Sequence, residues 1–358
     1  MKTEIIKIDT SAPEWDKQLD YAAEVLRSGG LVAFPTETVY GLGANALDAG
    51  AAEKIYRAKG RPSDNPLIVH IADTKALGDV TGAVPQAAVP LIREFWPGPL
   101  TLIMPKSGKI PSIITAGLDT VAIRMPSHPV ARALIKKAGI PVAAPSANSS
   151  GKPSPTMAKH VELDLSGKVD IIIDGGRSNV GVESTVLDVT VQPPQILRPG
   201  GVTREQLESL LGPISIDPAM AALSGSASPN PPRAPGMKYR HYAPKAPLTL
   251  IHGSRENVIA EITRRAENYI KTGASVGILA TDETSRLYQT RLPGICCILS
   301  MGSGQKPESL AANLFKCLRE FDGKPVDVIL GETTGTDGIG LAVMNRLTKA
   351  AGGNIIDV

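Results

Sequence analysis

Eight prolines lie between Gly212 and Pro247, and no helix interior or central strand tolerates that density, because proline lacks a backbone N–H and fixes φ. The middle of this stretch reads SGSASPNPPRAPG, which is typical of an extended, mobile linker. A chain of 358 residues can bury a substantial core without disulfide or metal support. We therefore predict a first domain over 1–211, a proline-rich linker over 212–247 and a second domain over 248–358.

The block before the linker mixes helix and strand patterns. Helices are predicted over 14–28, where two glycines end the pattern, and over 49–59. Helix and strand alternate at first and strands dominate later, which favours an α/β fold with a mixed sheet. The candidate strands are LVAF, PLIVHI, LTLIMP, TVAIRMP, IPVAAPS, VDIIID and ESTVLDV.

The block after the linker alternates regularly between helix and strand patterns. Such alternation predicts a smaller, doubly wound, parallel α/β domain of the Rossmann-like kind. The predicted elements are helix 255–271, strand 275–280, helix 282–290, strand 295–299, helix 307–321, strand 326–330 and helix 338–351.

Charge and cysteine content argue against several function classes. The chain has 38 Lys and Arg residues against 35 Asp and Glu residues. Strong nonspecific electrostatic attraction to nucleic acid is therefore not indicated. The three cysteines form no disulfide framework and do not fit a zinc site. The N-terminus is too polar for a signal peptide and no apolar run approaches the length of a membrane span. We therefore expect a cytoplasmic protein without membrane contact.

Common nucleotide-binding and hydrolase motifs are missing from the sequence. It contains no GxxxxGK[ST], no GxGxxG after a strand, no GxSxG and no HExxH. A serine hydrolase or a zinc enzyme therefore has no support, and a nucleotide would have to be bound in a less common way.

Two polar segments in the first block combine residue types that suit an anionic ligand. PTETVYGLGANA (Pro35–Ala46) follows a strand and holds two threonines, a carboxylate and glycines that let backbone amides approach a ligand. An ordinary strand–turn–helix connection is the alternative. In IYRAKGRPSDNPLIVH, Arg61 can form bidentate hydrogen bonds and Lys59 supplies a compact positive charge. This combination suits a polyphosphate. Lys59 alone would also complement the helix dipole.

A third polar segment, PVAAPSANSSGKPSPT, runs from a buried strand into a loop, which is where ligands of open α/β sheets sit. Ser146 and Asn148 offer neutral donors and acceptors, and Lys152 can reach phosphate; a plain hydrophilic loop is the alternative. Arg124 lies inside a strand pattern, where a buried charge needs a partner. Aromatic and basic side chains are clustered in the linker segment PGMKYRHYAP. This favours a segment that docks on a site over one that only separates the two domains.

These motifs together resemble a known family. PTETVYGLG, KGRPSDNPL, PSAN followed by SGKPSPT, and GVESTV occur in this order, and the set is similar to the YrdC-like domain of the threonylcarbamoyl-AMP synthase family. PGMKYRHYAP and the trailing α/β block resemble the long, two-domain form of that family. The resemblance implies a twisted, mixed N-terminal sheet with helices. It also implies synthesis of threonylcarbamoyl-AMP and pyrophosphate from L-threonine, bicarbonate and ATP with Mg²⁺, a nucleotidyltransferase reaction that supplies downstream tRNA-modifying proteins with threonylcarbamoyl groups.

The resemblance also implies roles for individual residues. Lys59 and Arg61 match the family's basic pair and are the catalytic candidates, with magnesium held mainly by ATP phosphates and water. Tyr239 and His241 are candidates for a lid over the site. The expected ATP-binding residues are Lys59, Arg61, Asn65, Thr120, Ser146, Asn148, Ser154, Arg198 and Tyr242. The expected threonine-binding residues are Thr36, Thr38, His70, Arg124 and Ser184.

The sequence leaves two alternatives open. A carbamoyltransferase of the YrdC-like type would usually add acylphosphatase and zinc-finger segments, which the three cysteines argue against. A double-stranded RNA-binding protein would need stronger basic charge than the first block carries, so at most a weak RNA contact is expected. The sequence leaves open what the second domain binds and whether the chain forms oligomers.

Overall fold

The computed structural model describes residues 2–218, 233 and 242–358, and the lid candidates Tyr239 and His241 lie outside these ranges. The chain divides into two compact units. Among the described residues, unit 1 contains 2–150, 154–218 and 233, and unit 2 contains 151–153 and 242–358. No helix of the described ranges is both long enough and apolar enough to cross a bilayer.

Unit 1 is built on one large sheet in which parallel and antiparallel pairs mix, as predicted. Its order is β1-β8-β2-β3-β7-β4-β6-β5-β9-β10-β11. The strands are β1 Glu4–Lys7, β2 Val32–Phe34, β3 Gly41–Asn45, β4 Ile68–His70, β5 Leu100–Pro105, β6 Thr120–Arg124, β7 Val142–Ala143, β8 Ile171–Asp174, β9 Thr185–Asp188, β10 Gln195–Arg198 and β11 Ser215–Ile216.

Helices cover both faces of this sheet because its strands are apolar on both sides. On β2, Val32 and Phe34 belong to one buried cluster, whereas Ala33 between them belongs to another. Ile172 on β8 likewise separates Ile171 and Ile173. The helices are α1 Asp20–Arg27, α2 Ala49–Lys59, α3 Leu77–Val80, α4 Ala88–Phe95, α5 Pro129–Ala138, α6 Ala158–Leu165 and α7 Arg204–Leu211.

Three details of unit 1 differ from the expectations. The helix predicted over 14–28 begins as a 3₁₀ turn, Trp15–Leu19, before α1. The GLGAN sequence, expected to lie in a connection after a strand, is itself strand β3, antiparallel to β2. A Cβ on Gly43 would come within 2.7 Å of Phe34 Cε1, so the glycine serves close strand packing. Residues 215–216, inside the predicted linker, pair with β10 as β11.

Unit 2 is a purely parallel α/β sheet with the order β14-β13-β15-β12-β16. The predicted parallel architecture is therefore confirmed. Strand β15 inserts between β13 and β12, unlike the usual Rossmann order. The elements are β12 Leu248–His252, α8 Arg255–Lys271, β13 Val276–Ala280, α9 Asp282–Arg291, β14 Cys297–Ser300, α10 Pro307–Phe321, β15 Val328–Glu332, α11 Gly340–Ala350 and β16 Ile355–Asp357.

Candidate functional site

Helix α2 places Lys59 at its last position. Asp48 caps the helix start by accepting from the backbone N–H groups of Gly50 and Ala51, and Gly60 ends the helix in the left-handed conformation. Lys59 is only 5% exposed, and its ammonium donates to the carbonyl oxygens of Ser146 at 2.5 Å and Asn148 at 2.6 Å. A buried cation is thus fixed between the helix end and the loop after β7.

Arg61 lies just beyond the same helix end. Its guanidinium donates to the Asn65 carbonyl at 2.9 Å and lies 5.8 Å from the Tyr56 ring centroid. Arg61 and Tyr56 both line a cavity of about 460 Å³. The turn that Arg61 closes holds Asn65, whose side chain is fully buried while its amide nitrogen and oxygen have no hydrogen-bond partner. Buried polar atoms of this kind are rare without a bound ligand or water.

The loop after β7 carries the two neutral polar candidates. Ser146 Oγ donates to Asn148 Oδ1 at 2.6 Å, and Asn148 Nδ2 donates to the Ser149 carbonyl at 2.8 Å. Because Lys59 also contacts this loop, the structure brings three of the predicted ATP-binding residues together: Lys59, Ser146 and Asn148.

The Pro35–Leu42 connection links several polar loops through its backbone. The Tyr40 carbonyl accepts from the Ala147 N–H, and the Tyr40 N–H donates to the Pro155 carbonyl. The Leu42 N–H donates to the Pro145 carbonyl. The carbonyls of Glu37 and Thr38 accept from the 180–181 backbone. This connection therefore holds the loop after β7, residue 155 and the loop before β9 around the threonine hydroxyls.

A buried ion pair joins this connection to β6. Arg124 Nη2 lies 2.7 Å from Glu37 Oε1, and Nη1 donates to Thr38 Oγ1 at 2.9 Å. Thr36 Oγ1 in turn lies 2.8 Å from Thr38 Oγ1. Burial alone would raise the pKa of Glu37, but the adjacent guanidinium lowers it below its usual value. Arg124 was expected to bind threonine; in the structure it pairs with the internal carboxylate of Glu37, and its contact with threonine stays a prediction.

Two more predicted residues meet in front of β9. Arg198 Nη2 donates to Ser184 Oγ at 3.1 Å, and Ser184 Oγ lies 2.8 Å from Thr101 Oγ1. Thr101 pairs with Arg124 across β5 and β6. Arg124, Ser184 and Arg198 are therefore connected through neighbouring strands of one sheet, although they were predicted for two different substrates.

His70 is buried between strands rather than open to a ligand. Its Nδ1 lies 3.2 Å from the Ile68 carbonyl, and its ring packs edge-on against Phe34. Burial, followed by the nearby Arg124 charge, lowers the pKa of His70 to about 3. The imidazole is therefore neutral at pH 7, and its predicted contact with threonine stays a prediction.

The remaining candidates are more dispersed. Ser154 Oγ donates to Glu183 Oε1 at 2.6 Å. Thr120 begins β6 opposite Pro105, four residues before Arg124. Tyr242 packs in unit 2 at 5% exposure, its ring 5.0 Å from Phe315. Contacts of Thr120 and Tyr242 with ATP stay predictions.

Sequence reasoning missed Glu37, Thr101 and Glu183. Each bonds directly to a residue that was predicted: Glu37 to Arg124, Thr101 to Ser184, and Glu183 to Ser154. One signal was available for Glu37, because an arginine inside a buried strand needs a carboxylate partner. The PTET segment supplies that carboxylate.

Comparisons with known proteins agree over the whole chain. A family described as "Telomere recombination" matches residues 24–200, and one described as "Threonylcarbamoyl-AMP synthase, C-terminal domain" matches 202–352. Threonylcarbamoyl-AMP synthase of Bacillus subtilis is 51% identical, with 95% of each chain covered. Its counterpart from Pyrococcus abyssi is 48% identical, with 99% of this chain and 100% of that one covered.

A solved structure extends the comparison to three dimensions. The crystal structure of P. abyssi Sua5 complexed with L-threonine superposes with a TM-score of 0.92 at 47% identity. The match covers 99% of this chain and all of the other. The fold described above is therefore shared over both units.

Proposed function

This chain belongs to the threonylcarbamoyl-AMP synthase family in its two-domain form, and we propose that unit 1 makes threonylcarbamoyl-AMP with the residues described above. The substrates are L-threonine and ATP, and bicarbonate is proposed as the source of the carbamate carbon. Relatives named as synthases match this chain over nearly its full length, which favours the synthase over a carbamoyltransferase or an RNA-binding protein. The product serves threonylcarbamoyladenosine formation in tRNA.

The chemistry needs positioning more than a protein nucleophile. The threonine amine condenses with bicarbonate to give a carbamate and water. A carbamate oxygen then attacks the α-phosphorus of ATP, and the bond from that phosphorus to the bridging oxygen breaks to release pyrophosphate. Transfer of AMP to the carbamate makes the enzyme a nucleotidyltransferase. Alignment of the reactants and neutralisation of phosphate charge supply the rate enhancement.

We assign the ATP triphosphate to the loop ends around Lys59. The observation that carries this assignment is Asn65, whose two amide atoms are buried without a partner and whose carbonyl accepts from Arg61, two residues beyond Lys59 in the chain. A nucleotide would satisfy both atoms, with the guanidinium binding phosphate as a fork. Ser146 and Asn148 lie on the loop that Lys59 holds and contact the nucleotide or the carbamate.

We assign threonine to the group around the Glu37–Arg124 ion pair. The hydroxyls of Thr36 and Thr38 belong to the hydrogen-bond network of Arg124. The Ser184 hydroxyl bonds to Thr101, which pairs with Arg124 across β5 and β6. Glu37 Oε2 is buried without a partner, so a bound ammonium or hydroxyl would satisfy it. Arg124 attracts the substrate carboxylate while Glu37 holds the guanidinium in place.

Magnesium enters this account with ATP. The described residues contain no group of three or more acidic, histidine or cysteine side chains arranged for a metal ion. In this proposal the ion is held by phosphate oxygens and water, as Mg²⁺ usually is in nucleotide sites. Bound in this way it would neutralise phosphate charge, while Lys59 and Arg61 orient the same phosphates.

Two further assignments complete the proposal. Tyr239 and His241, which lie outside the described residues, stay candidates for a lid that would exclude water from the labile mixed anhydride. Downstream tRNA-modifying proteins receive the product in the cytoplasm.

The proposal is tested by substrate omission. Purified full-length protein is incubated with ATP, Mg²⁺, L-threonine and bicarbonate, and pyrophosphate and threonylcarbamoyl-AMP are measured by chromatography. We expect pyrophosphate only when threonine and bicarbonate are both present. Lys59→Ala and Arg61→Ala should lose about a hundredfold or more in kcat/KM, whereas Arg93→Ala, an exposed arginine in the last turn of α4, should stay near wild type. Pyrophosphate release without threonine, or full turnover in both variants, would overturn the assignment.

A further inference from the structure

Unit 2 contains a cavity that the proposed activity does not use. It has a volume of about 290 Å³ and lies at the carboxyl ends of the parallel strands β12, β13 and β15. Its wall includes Arg255 after β12, Thr281 and Glu283 after β13, and Glu332 at the end of β15. Ligands of open α/β sheets bind at this end of the strands.

The cavity lies where the chain connections change sides of the sheet. On one face, Val276 and Ile278 of β13 pack with Ile262 of α8 and Tyr288 of α9. On the other face, a Cβ on Gly277 would meet Phe321 of α10 at 2.6 Å, and α10 packs with α11. The helices that follow β12 and β13 thus lie opposite the helix that follows β15. A crevice opens between such strands, and it is the usual ligand position of the fold.

Glu332 forms the floor of the cavity at 5% exposure. Its carboxylate accepts from the Thr281 N–H at 2.9 Å, from Thr284 Oγ1 at 2.9 Å and from the Tyr288 hydroxyl at 2.7 Å. The start of α9 is therefore already satisfied by an internal anion. A phosphate group would meet this carboxylate and be repelled.

The rim adds one charge of each sign. Glu283 accepts from Ser303 Oγ at 2.5 Å and from the Gly304 N–H at 3.1 Å, and these hydrogen bonds lower the pKa of its carboxyl to about 2. Arg255 donates to the Glu283 carbonyl at 3.1 Å. The lining thus presents two carboxylates and one guanidinium, a pattern that complements an ammonium and a carboxylate on one small molecule.

We propose that this cavity is a binding site for a small free α-amino acid, with the ammonium against Glu283 and Glu332 and the carboxylate on Arg255. A ligand of this class gives every charged group of the lining an opposite partner. The site lies within unit 2 and does not depend on the reaction proposed for unit 1.

The test uses the full chain with ¹³C-labelled valine methyl groups. Val258 lines the cavity, so its methyl signals report this site separately from residues of unit 1. Each common L-amino acid is titrated in turn, with inorganic phosphate as a comparison. At least one amino acid should shift the Val258 methyl signals in a saturable way. Arg255→Gln and Glu283→Gln should each weaken that binding about tenfold or more, because each removes a charge-assisted contact.

Glu256→Gln is the matched control, because Glu256 is exposed, adjoins Arg255 in the first turn of α8 and is not part of the lining. It should leave the affinity unchanged, and unfolding temperatures of all three variants should remain near wild type. Val258 signals that stay fixed for every amino acid would overturn the proposal. So would equal affinity in all variants, or a response to phosphate alone.

Discussion

The Glu37–Arg124 ion pair is where single residues matter most in unit 1. Both side chains are nearly inaccessible, at 10% and 4% exposure, so neither charge is compensated by water. Removing one partner of a buried pair leaves the other charge desolvated and unpaired, which costs more than the pair itself contributes. This contact fixes the guanidinium beside the hydroxyl of Thr38. If threonine binds here as proposed, the same contact couples the stability of unit 1 to substrate binding.

We predict that Glu37→Gln lowers the unfolding free energy of unit 1 by about 3 kcal/mol and raises KM for threonine. Both tryptophans, Trp15 and Trp96, lie in unit 1, so urea unfolding followed by tryptophan fluorescence reports this unit. Asp79→Asn is the control, because the Asp79–Lys109 pair is exposed and should be worth about 1 kcal/mol or less. Equal losses in both variants would contradict the buried-pair account.

His70 makes a second prediction, on pH dependence. Its folded pKa of about 3 lies below its ordinary value of 6.5, so between these values the unfolded chain binds a proton that the folded chain excludes. The stability contributed by the neutral imidazole is therefore present above pH 6.5 and is lost as pH falls toward 3. The unfolding free energy of wild type should fall more steeply over this range than that of His70→Asn.

Both proteins are unfolded with urea at a series of pH values, with tryptophan fluorescence as the signal. Parallel pH profiles of wild type and His70→Asn would show that His70 is protonated in the folded protein.

At the scale of elements, the end of α2 connects folding to the site. Gly60 lies between Lys59 and Arg61 with φ of +60°, and a Cβ there would meet no atom within 4 Å. Gly60→Ala should therefore cost about 1 kcal/mol, purely because an L side chain disfavours the left-handed region. It should also raise KM for ATP by displacing the two cations.

Gly108→Ala is the matched substitution, since its Cβ also meets nothing within 4 Å and its φ lies outside the left-handed region. Urea unfolding and steady-state kinetics of both variants make the comparison. An unfolding free energy of Gly60→Ala equal to that of Gly108→Ala would show that the helix end does not require glycine.

Helices and strands whose apolar residues repeat regularly could be predicted from the sequence. Those that form only through packing or pairing with other elements could not. Helices α8 and α10 have the predicted bounds, 255–271 and 307–321, because their apolar positions repeat at helical spacing. Strand β3 was missed, since GLGAN has low strand propensity and its glycine is required by Phe34. Strand β11 holds two residues and forms only through pairing with β10.

The same distinction, between local sequence signals and long-range contacts, applies to the candidate site. Lys59, Arg61 and Asn65 lie within seven consecutive residues, so residue type and spacing single them out together as candidates. Glu37 and Arg124 are 87 residues apart, and nothing local relates them until the sheet is formed. Local chemistry was therefore readable from the sequence, whereas the long-range contacts that hold it in place were not.

At the scale of the whole molecule, we propose that unit 1 joins threonine, bicarbonate and ATP by positioning, without a covalent nucleotidyl-enzyme. The most direct measurement is exchange of ³²P from pyrophosphate into ATP by the full-length protein, with threonine and bicarbonate supplied together, singly or not at all. We predict exchange only when both are present, because pyrophosphate can return to ATP only from threonylcarbamoyl-AMP. Exchange in the absence of threonine and bicarbonate would reveal a nucleotidyl group on the protein and would contradict the account.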